Sequence, residues 1–180
     1  MNKVMYLEFE RCIGCRACQA ACRECGDHEG LERNYVDYID FSENRQTFPM
    51  ICMQCKNPAC AQVCPANAIQ ITPEGVVLSA SEEKCIGCRN CTFACPFGIP
   101  KFDFEKNKMY KCDMCYDRSK HDIAPMCASV CPSDAIRFID HDEMMQLRRQ
   151  RVQMNMIEGK KPSQDDKWNY VPEFFGVYSD

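Results

Sequence analysis

Glycine is scarce in this 180-residue chain, at 8 residues, and tryptophan occurs once. No run approaches the roughly 18–20 apolar residues that a membrane-spanning helix needs. The N-terminus, MNKVMYLEFER, carries acidic residues and lacks the apolar stretch of a secretory signal, so no signal peptide is predicted. Excess positive charge is missing too. The net charge is −4, which argues against nucleic acid as a partner, because binding phosphates wants a basic face. There is no glycine-rich phosphate loop or nucleotide fingerprint. The three histidines, His28, His121 and His141, are dispersed and read as surface or capping residues. Aliphatic content is also thin: the hydrophobic share of 46% includes 17 cysteines, and the Ala, Met and Ile are scattered singly. A conventional core is hard to build from this, so disulfides, structural zinc or inorganic clusters must help hold the chain together.

What the chain has is cysteine, in four groups. The first is Cys12, Cys15, Cys18 and Cys22, spaced C-x2-C-x2-C-x3-C, with Cys25 trailing. The second is Cys52, Cys55, Cys60 and Cys64; the third, Cys85, Cys88, Cys91 and Cys95, repeats the spacing of the first. The fourth is Cys112, Cys115, Cys127 and Cys131. In each, the fourth cysteine follows the third by four positions, so the chain is an internal repeat. Groups one and three both read C-I-G-C-R-x-C-x-x-A-C, and groups two and four end alike, in CPANAIQI and CPSDAIRF. Pro65, Pro96 and Pro132 follow a fourth cysteine and should stop a short helix there. Group one departs from this, with Arg23 after Cys22.

Between the groups the sequence predicts short strands at 3–9 and 35–41, a hairpin at 68–79, strands flanking a turn at Lys106–Asn107, and a last strand at 135–139. The third and fourth cysteines of each group are expected to share a helical turn, since i and i+4 lie on one face. His141–Arg149 reads as a short capped helix, with Asp140 or Asp142 near its start. The rest to Asp180 is polar, but Trp168, Tyr170, Phe174, Phe175 and Tyr178 make it a candidate docking extension. The fold class is α+β.

The odd cysteine number and the missing signal argue against a disulfide scaffold. Zinc sites usually take two separated C-x2-C pairs, whereas here a C-x3-C ending recurs four times, with proline after three of them. That run is the bacterial ferredoxin spacing: three thiolates converge on one cluster, and the fourth crosses to a neighbouring cluster. Motifs of this kind work in pairs, and two pairs hold four clusters. Spacing alone leaves open which motif pairs with which. Arg16, Lys56, Arg89 and Lys111 lie in or beside the motifs, where they can offset the negative charge of a thiolate-ligated cluster.

The residues CIGCRAC at Cys12, CMQCKNPACAQVCPANAI at Cys52, CIGCRNCTFACPFGIPKF at Cys85, KCDMCYDR at Lys111 and PMCASVCPSDAI at Pro125 carry a closer resemblance. Over roughly residues 1–140 the chain resembles the four-cluster ferredoxin-like iron–sulfur (beta) subunit of the dimethyl sulfoxide (DMSO) reductase family of molybdenum and tungsten enzymes. The resemblance implies that motif one pairs with motif four, and two with three. It implies four [4Fe–4S] clusters, held by Cys12, Cys15, Cys18 and Cys131; by Cys112, Cys115, Cys127 and Cys22; by Cys52, Cys55, Cys60 and Cys95; and by Cys85, Cys88, Cys91 and Cys64. Two interleaved dicluster-ferredoxin-like modules follow: 1–49 with 109–140 as the outer one, 50–108 inserted, and 141–180 as a C-terminal helix and docking extension. Cys25 is left as a thiol outside the clusters, unless it replaces Cys22 as the crossing ligand.

No catalytic residues are predicted, because sixteen ligands for four clusters leave no open iron. The expected function is electron relay between a large molybdopterin (Mo/W) catalytic subunit and a second partner. That partner is a quinone-linked membrane subunit, a Rieske or cytochrome protein. The alternatives are a free polyferredoxin or a hydrogenase- or formate dehydrogenase-linked subunit. The expected location is cytoplasmic or peripheral to a membrane, with export on a partner's twin-arginine signal as the other route.

Overall fold

The computed structural model describes residues 3–25, 28, 30–40 and 44–158. Its strands form four separate two-stranded antiparallel sheets. β1 (Lys3–Leu7) pairs with β8 (Ile136–Asp140), in register from Lys3↔Asp140 to Leu7↔Ile136. The others are local hairpins: β2 (Tyr35–Asp40) with β3 (Asn44–Met50), β4 (Ile69–Ile71) with β5 (Val77–Ala80), and β6 (Lys101–Asp103) with β7 (Lys108–Tyr110). Side chains build two of the turns. The Val76 N–H bonds Thr72 Oγ1 at 3.1 Å. Asp103 Oδ1 accepts the N–H groups of Glu105 and Lys106 at 2.9 and 3.1 Å, the self-capping that suits Asp to a turn.

The helices are short except the last: α1 (Ala17–Arg23), α2 (Ala59–Gln62), α3 (Asn90–Ala94), α4 (Tyr116–Ser119), α5 (Met126–Ser129) and α6 (His141–Ile157). Cys18 and Cys22 share α1. In the other three groups the helix ends before the fourth cysteine, which corrects the expected shared turn. The cause is the proline after each of those cysteines, which cannot continue a helix; Arg23 carries no such bar, and α1 runs through it.

α1 packs on α5, α2 on α3, and β5 beside β7. The largest core gathers Met5, Val36, Ile51, Val76, Met114 and Ile136 around Cys18, Cys112 and Cys127. A second joins Ile69, Val77 and Met109 to Cys60 and Cys91. The thiols are thus part of the packed interior, as the thin aliphatic content requires. β1 alternates, sending Met5 into the first core and Val4 and Tyr6 to a third, where Met144 of α6 closes on Ile139.

α6 is longer than the predicted 141–149 helix, continuing to Ile157. Asp140 stands at its N-cap position without a side-chain capping bond. The helix is held instead by Met144 and by Arg151, which pairs with Glu8 at 3.3 Å and Glu10 at 3.0 Å. The aromatic residues 168–178 lie outside the described residues. Among the described residues, no helix is long and apolar enough to cross a membrane.

Candidate iron–sulfur sites

The CIGCR repeat takes the same backbone path twice. Gly14 and Gly87 both sit at φ +69, and Arg16 and Arg89 are left-handed at φ 59 and 62 just before α1 and α3. This tight path leaves Cys15 and Cys88 exposed, with Ile13 and Ile86 beside them at 68% and 63% exposure. The third cysteine of each group is buried at the start of its helix.

Thiols from different groups come together. Cys64 joins Cys85, Cys88 and Cys91 in lining one cavity, closed by Ile69, Phe102 and Met109. Cys95 joins Cys52, Cys55 and Cys60 in another, with Pro58, Ile99 and Lys111. Cys18 faces Cys12, Cys131 and Cys15; burial first, then those three charges, push its thiol up to about 11. Burial and then Cys115, Cys22 and Cys18 push Cys127 well above the ordinary thiol range, and burial, then Cys52, Cys127 and Asp113, do the same to Cys112. Cys115 rises to about 12, by burial first and by Cys25.

The donor sets fit a sulfur-ligated cluster, because thiols dominate each of them. Polar hydrogens also point at the sulfurs, as the surroundings of a metal ligand require. Cys12 Sγ receives Thr47 Oγ1 at 3.2 Å, Cys22 Sγ the Arg33 N–H at 3.2 Å, Cys64 Sγ the Ala68 N–H at 3.3 Å, and Cys112 Sγ the Met114 N–H at 3.4 Å.

Three residues that sequence reasoning passed over stand beside Cys22. His28, expected at the surface, is 2% exposed, with Nδ1 2.6 Å from the Cys22 carbonyl and 3.4 Å from its sulfur. Its Nε2 lies 3.9 Å from Asp113 Oδ1. Asp113 takes the Arg33 guanidinium, and its Oδ1 accepts the Cys115 N–H at 3.1 Å. Burial pulls the His28 pKa down, but the nearby Asp113 carboxylate and then Cys22 win and raise it to about 9. For Asp113 burial pulls upward, and His28 and Arg33 more than reverse it. The only sequence signals were Asp113 within the motif KCDMC and the histidine three places after Cys25. Cys25 itself lies with Sγ 3.9 Å from Cys115 Sγ.

Of the four basic residues near the motifs, Lys111 reaches a motif sulfur, Cys52 Sγ, at 3.8 Å. Arg89 instead stacks over Phe102 and Phe104, at 5.1 and 5.5 Å from the ring centroids. Arg16 and Lys56 are exposed.

Residues 44–141 match the family described as the 4Fe-4S dicluster domain, and residues 3–24 the 4Fe-4S binding domain. The protein is 37% identical over 154 residues to a subunit of the anaerobic dimethyl sulfoxide reductase of Haemophilus influenzae, covering 77% of its own length and 74% of that subunit. A probable anaerobic dimethyl sulfoxide reductase subunit of Escherichia coli is 34% identical over 154 residues, covering 78% of this protein and 75% of its own length. The iron–sulfur subunit of the nitrate-inducible formate dehydrogenase of Escherichia coli is 35% identical over 167 residues, which is 81% of this protein but 57% of that subunit's length.

Proposed function

The chain belongs to the iron–sulfur subunits of the DMSO reductase family, and from that premise we propose that it relays single electrons through four [4Fe–4S] clusters between a molybdopterin (Mo/W) catalytic subunit and a second redox partner. It is a non-catalytic electron-transfer subunit that binds [4Fe–4S] clusters. When bound, such clusters supply one-electron redox chemistry; the protein supplies binding, spacing and electrostatics.

We assign the ligands as Cys12, Cys15, Cys18 with Cys131; Cys112, Cys115, Cys127 with Cys22; Cys52, Cys55, Cys60 with Cys95; and Cys85, Cys88, Cys91 with Cys64. One observation carries this reading: each of two cavities is lined by three cysteines of one motif and the fourth of another, Cys64 in one and Cys95 in the other. The packing of α2 on α3 and of α1 on α5, with β1 beside β8, supports two interleaved modules, 1–49 with 109–140 and the inserted 50–108. In this arrangement the sulfurs are held by short helices and tight loops. Met109, Ile99 and Phe102 line the cavities with apolar surface, and the N–H groups named above point at the sulfurs of Cys22, Cys64 and Cys112.

Residues 141–180 serve the partner interface in this reading. The experiment is anaerobic purification with an iron assay, and about sixteen irons per chain are expected from four-iron clusters. Half that number, or stoichiometric zinc, overturns the four-cluster assignment. Removing residues 159–180, beyond α6, should abolish copurification of the catalytic subunit; its retention removes the docking role.

A further inference from the structure

Lys111 is the largest of the fully buried side chains, at 1% exposure. Its Nζ donates to the Val77 carbonyl, to the Cys112 carbonyl at 3.0 Å and to Cys52 Sγ at 3.8 Å. An ammonium has three donors and no acceptor, and here it meets three acceptors. Two of them are carbonyls, which only accept. Among the described residues Lys111 forms no ion pair with a carboxylate. The nearby Asp113 is taken up by Arg33.

A buried charge without a counter-charge is strongly unfavourable. This one lines the cavity of Cys52, Cys55, Cys60 and Cys95. It also precedes Cys112 in the chain, and so stands between two of the proposed ligand sets. We propose that Lys111 is a positioning residue for electron transfer: its fixed positive charge raises the reduction potential of the cluster held by Cys52, Cys55, Cys60 and Cys95, and to a smaller degree that of its neighbour at Cys112. The physical reason is simple. Reduction adds a negative charge to the cluster, and a desolvated cation a few ångströms from a ligand sulfur favours the more negative state. The hydrogen bond to Cys52 Sγ acts in the same direction.

The inference rests on the four-cluster reading, and the two fail separately: the iron content of the unaltered chain tests the clusters, the potentials test Lys111. The experiment is an anaerobic redox titration, followed by electron paramagnetic resonance, of the full chain and of Lys111→Met and Lys111→Gln. Lys111→Met keeps the stem and removes the charge and the donors; Lys111→Gln removes the charge and keeps donors. Both should hold the full iron content, with one transition moved to lower potential by about tenfold in its redox equilibrium constant, ~59 mV for one electron. Unchanged transitions with full iron overturn the proposal. If a charge-free variant loses about four irons, Lys111→Arg decides. Iron retained with Arg and lost with Met and Gln supports the charge; iron lost in all three overturns it in favour of a purely structural role.

Discussion

Cys25 Sγ lies 3.9 Å from Cys115 Sγ, so the seventeenth cysteine stands against a thiol of motif four. Cys22, three places earlier, is buried, accepts the Arg33 N–H at 3.2 Å and is among the charges that act on Cys127. Both residues therefore border the set Cys112, Cys115, Cys127, and only one can complete it. The hydrogen bond and burial favour Cys22. Cys25→Ala should keep about sixteen irons, and Cys22→Ala should lose about four. An iron assay on the two purified variants decides, and the reverse pattern would move the crossing ligand to Cys25.

Asp113 is 7% exposed and gathers Arg33, His28 and the Cys115 N–H. Removing one member of a buried ion pair leaves the other charge without compensation, at a cost of roughly 3–5 kcal/mol. Asp113→Ala should destabilise the chain by about that much, and Asp113→Asn by less because the amide oxygen still accepts. Denaturant unfolding under anaerobic conditions measures both. Equal stability of Asp113→Ala and the unaltered chain would mean that Arg33 contributes nothing through this contact.

The glycine of CIGC separates backbone strain from contact. A Cβ on Gly14, at φ +69, would come 2.9 Å from Thr47 Cγ2, and the one Thr47 hydroxyl proton is shared between the Cys12 carbonyl at 3.1 Å and its sulfur at 3.2 Å. Gly98 has φ +62 with nothing within 4 Å of such a Cβ. Gly98→Ala should show the left-handed penalty alone, roughly 1–2 kcal/mol. Gly14→Ala should cost more and loosen iron at Cys12. The comparison of the two unfolding free energies, with iron content, reads the difference.

Much of the fold was legible because turn chemistry and alternation mark hairpins locally. The strands around Thr72–Gly75 and Lys106–Asn107 fall where the sequence places them. β3 was not foreseen, since NRQTFPM is polar and contains Pro49, which speaks against a strand. A two-stranded sheet has open edges, and Pro49 is accommodated opposite Val36. The end of α6 escaped for another reason: beyond Met144 it buries almost nothing, so no apolar period marks its length. At the sites, the cysteines were readable from spacing, whereas the Asp113 that joins Arg33 beside Cys22 lies 80 positions from it in the chain. Lys111 was visible as a charge beside a motif, but its burial depends on how β5 packs by β7.

The raised thiols set the direction of pH dependence. In the folded, iron-free chain burial pushes Cys18, Cys55 and Cys91 up to about 11. A folded pKa above the unfolded one means that the fold favours the protonated thiol. That contribution is complete below the ordinary thiol value and is lost as pH rises through about 11. Iron binds the thiolate alone, so cluster insertion must expel these protons, and acid opposes it. Iron uptake by the iron-free chain should therefore strengthen from mildly acidic to mildly alkaline conditions, with protons released as iron enters. Anaerobic reconstitution at fixed iron and sulfide, with retained iron and released acid measured together, tests this. Uptake that is flat across that range, with no proton release, would show that the sulfurs are already ionised before iron arrives and that burial does not govern them.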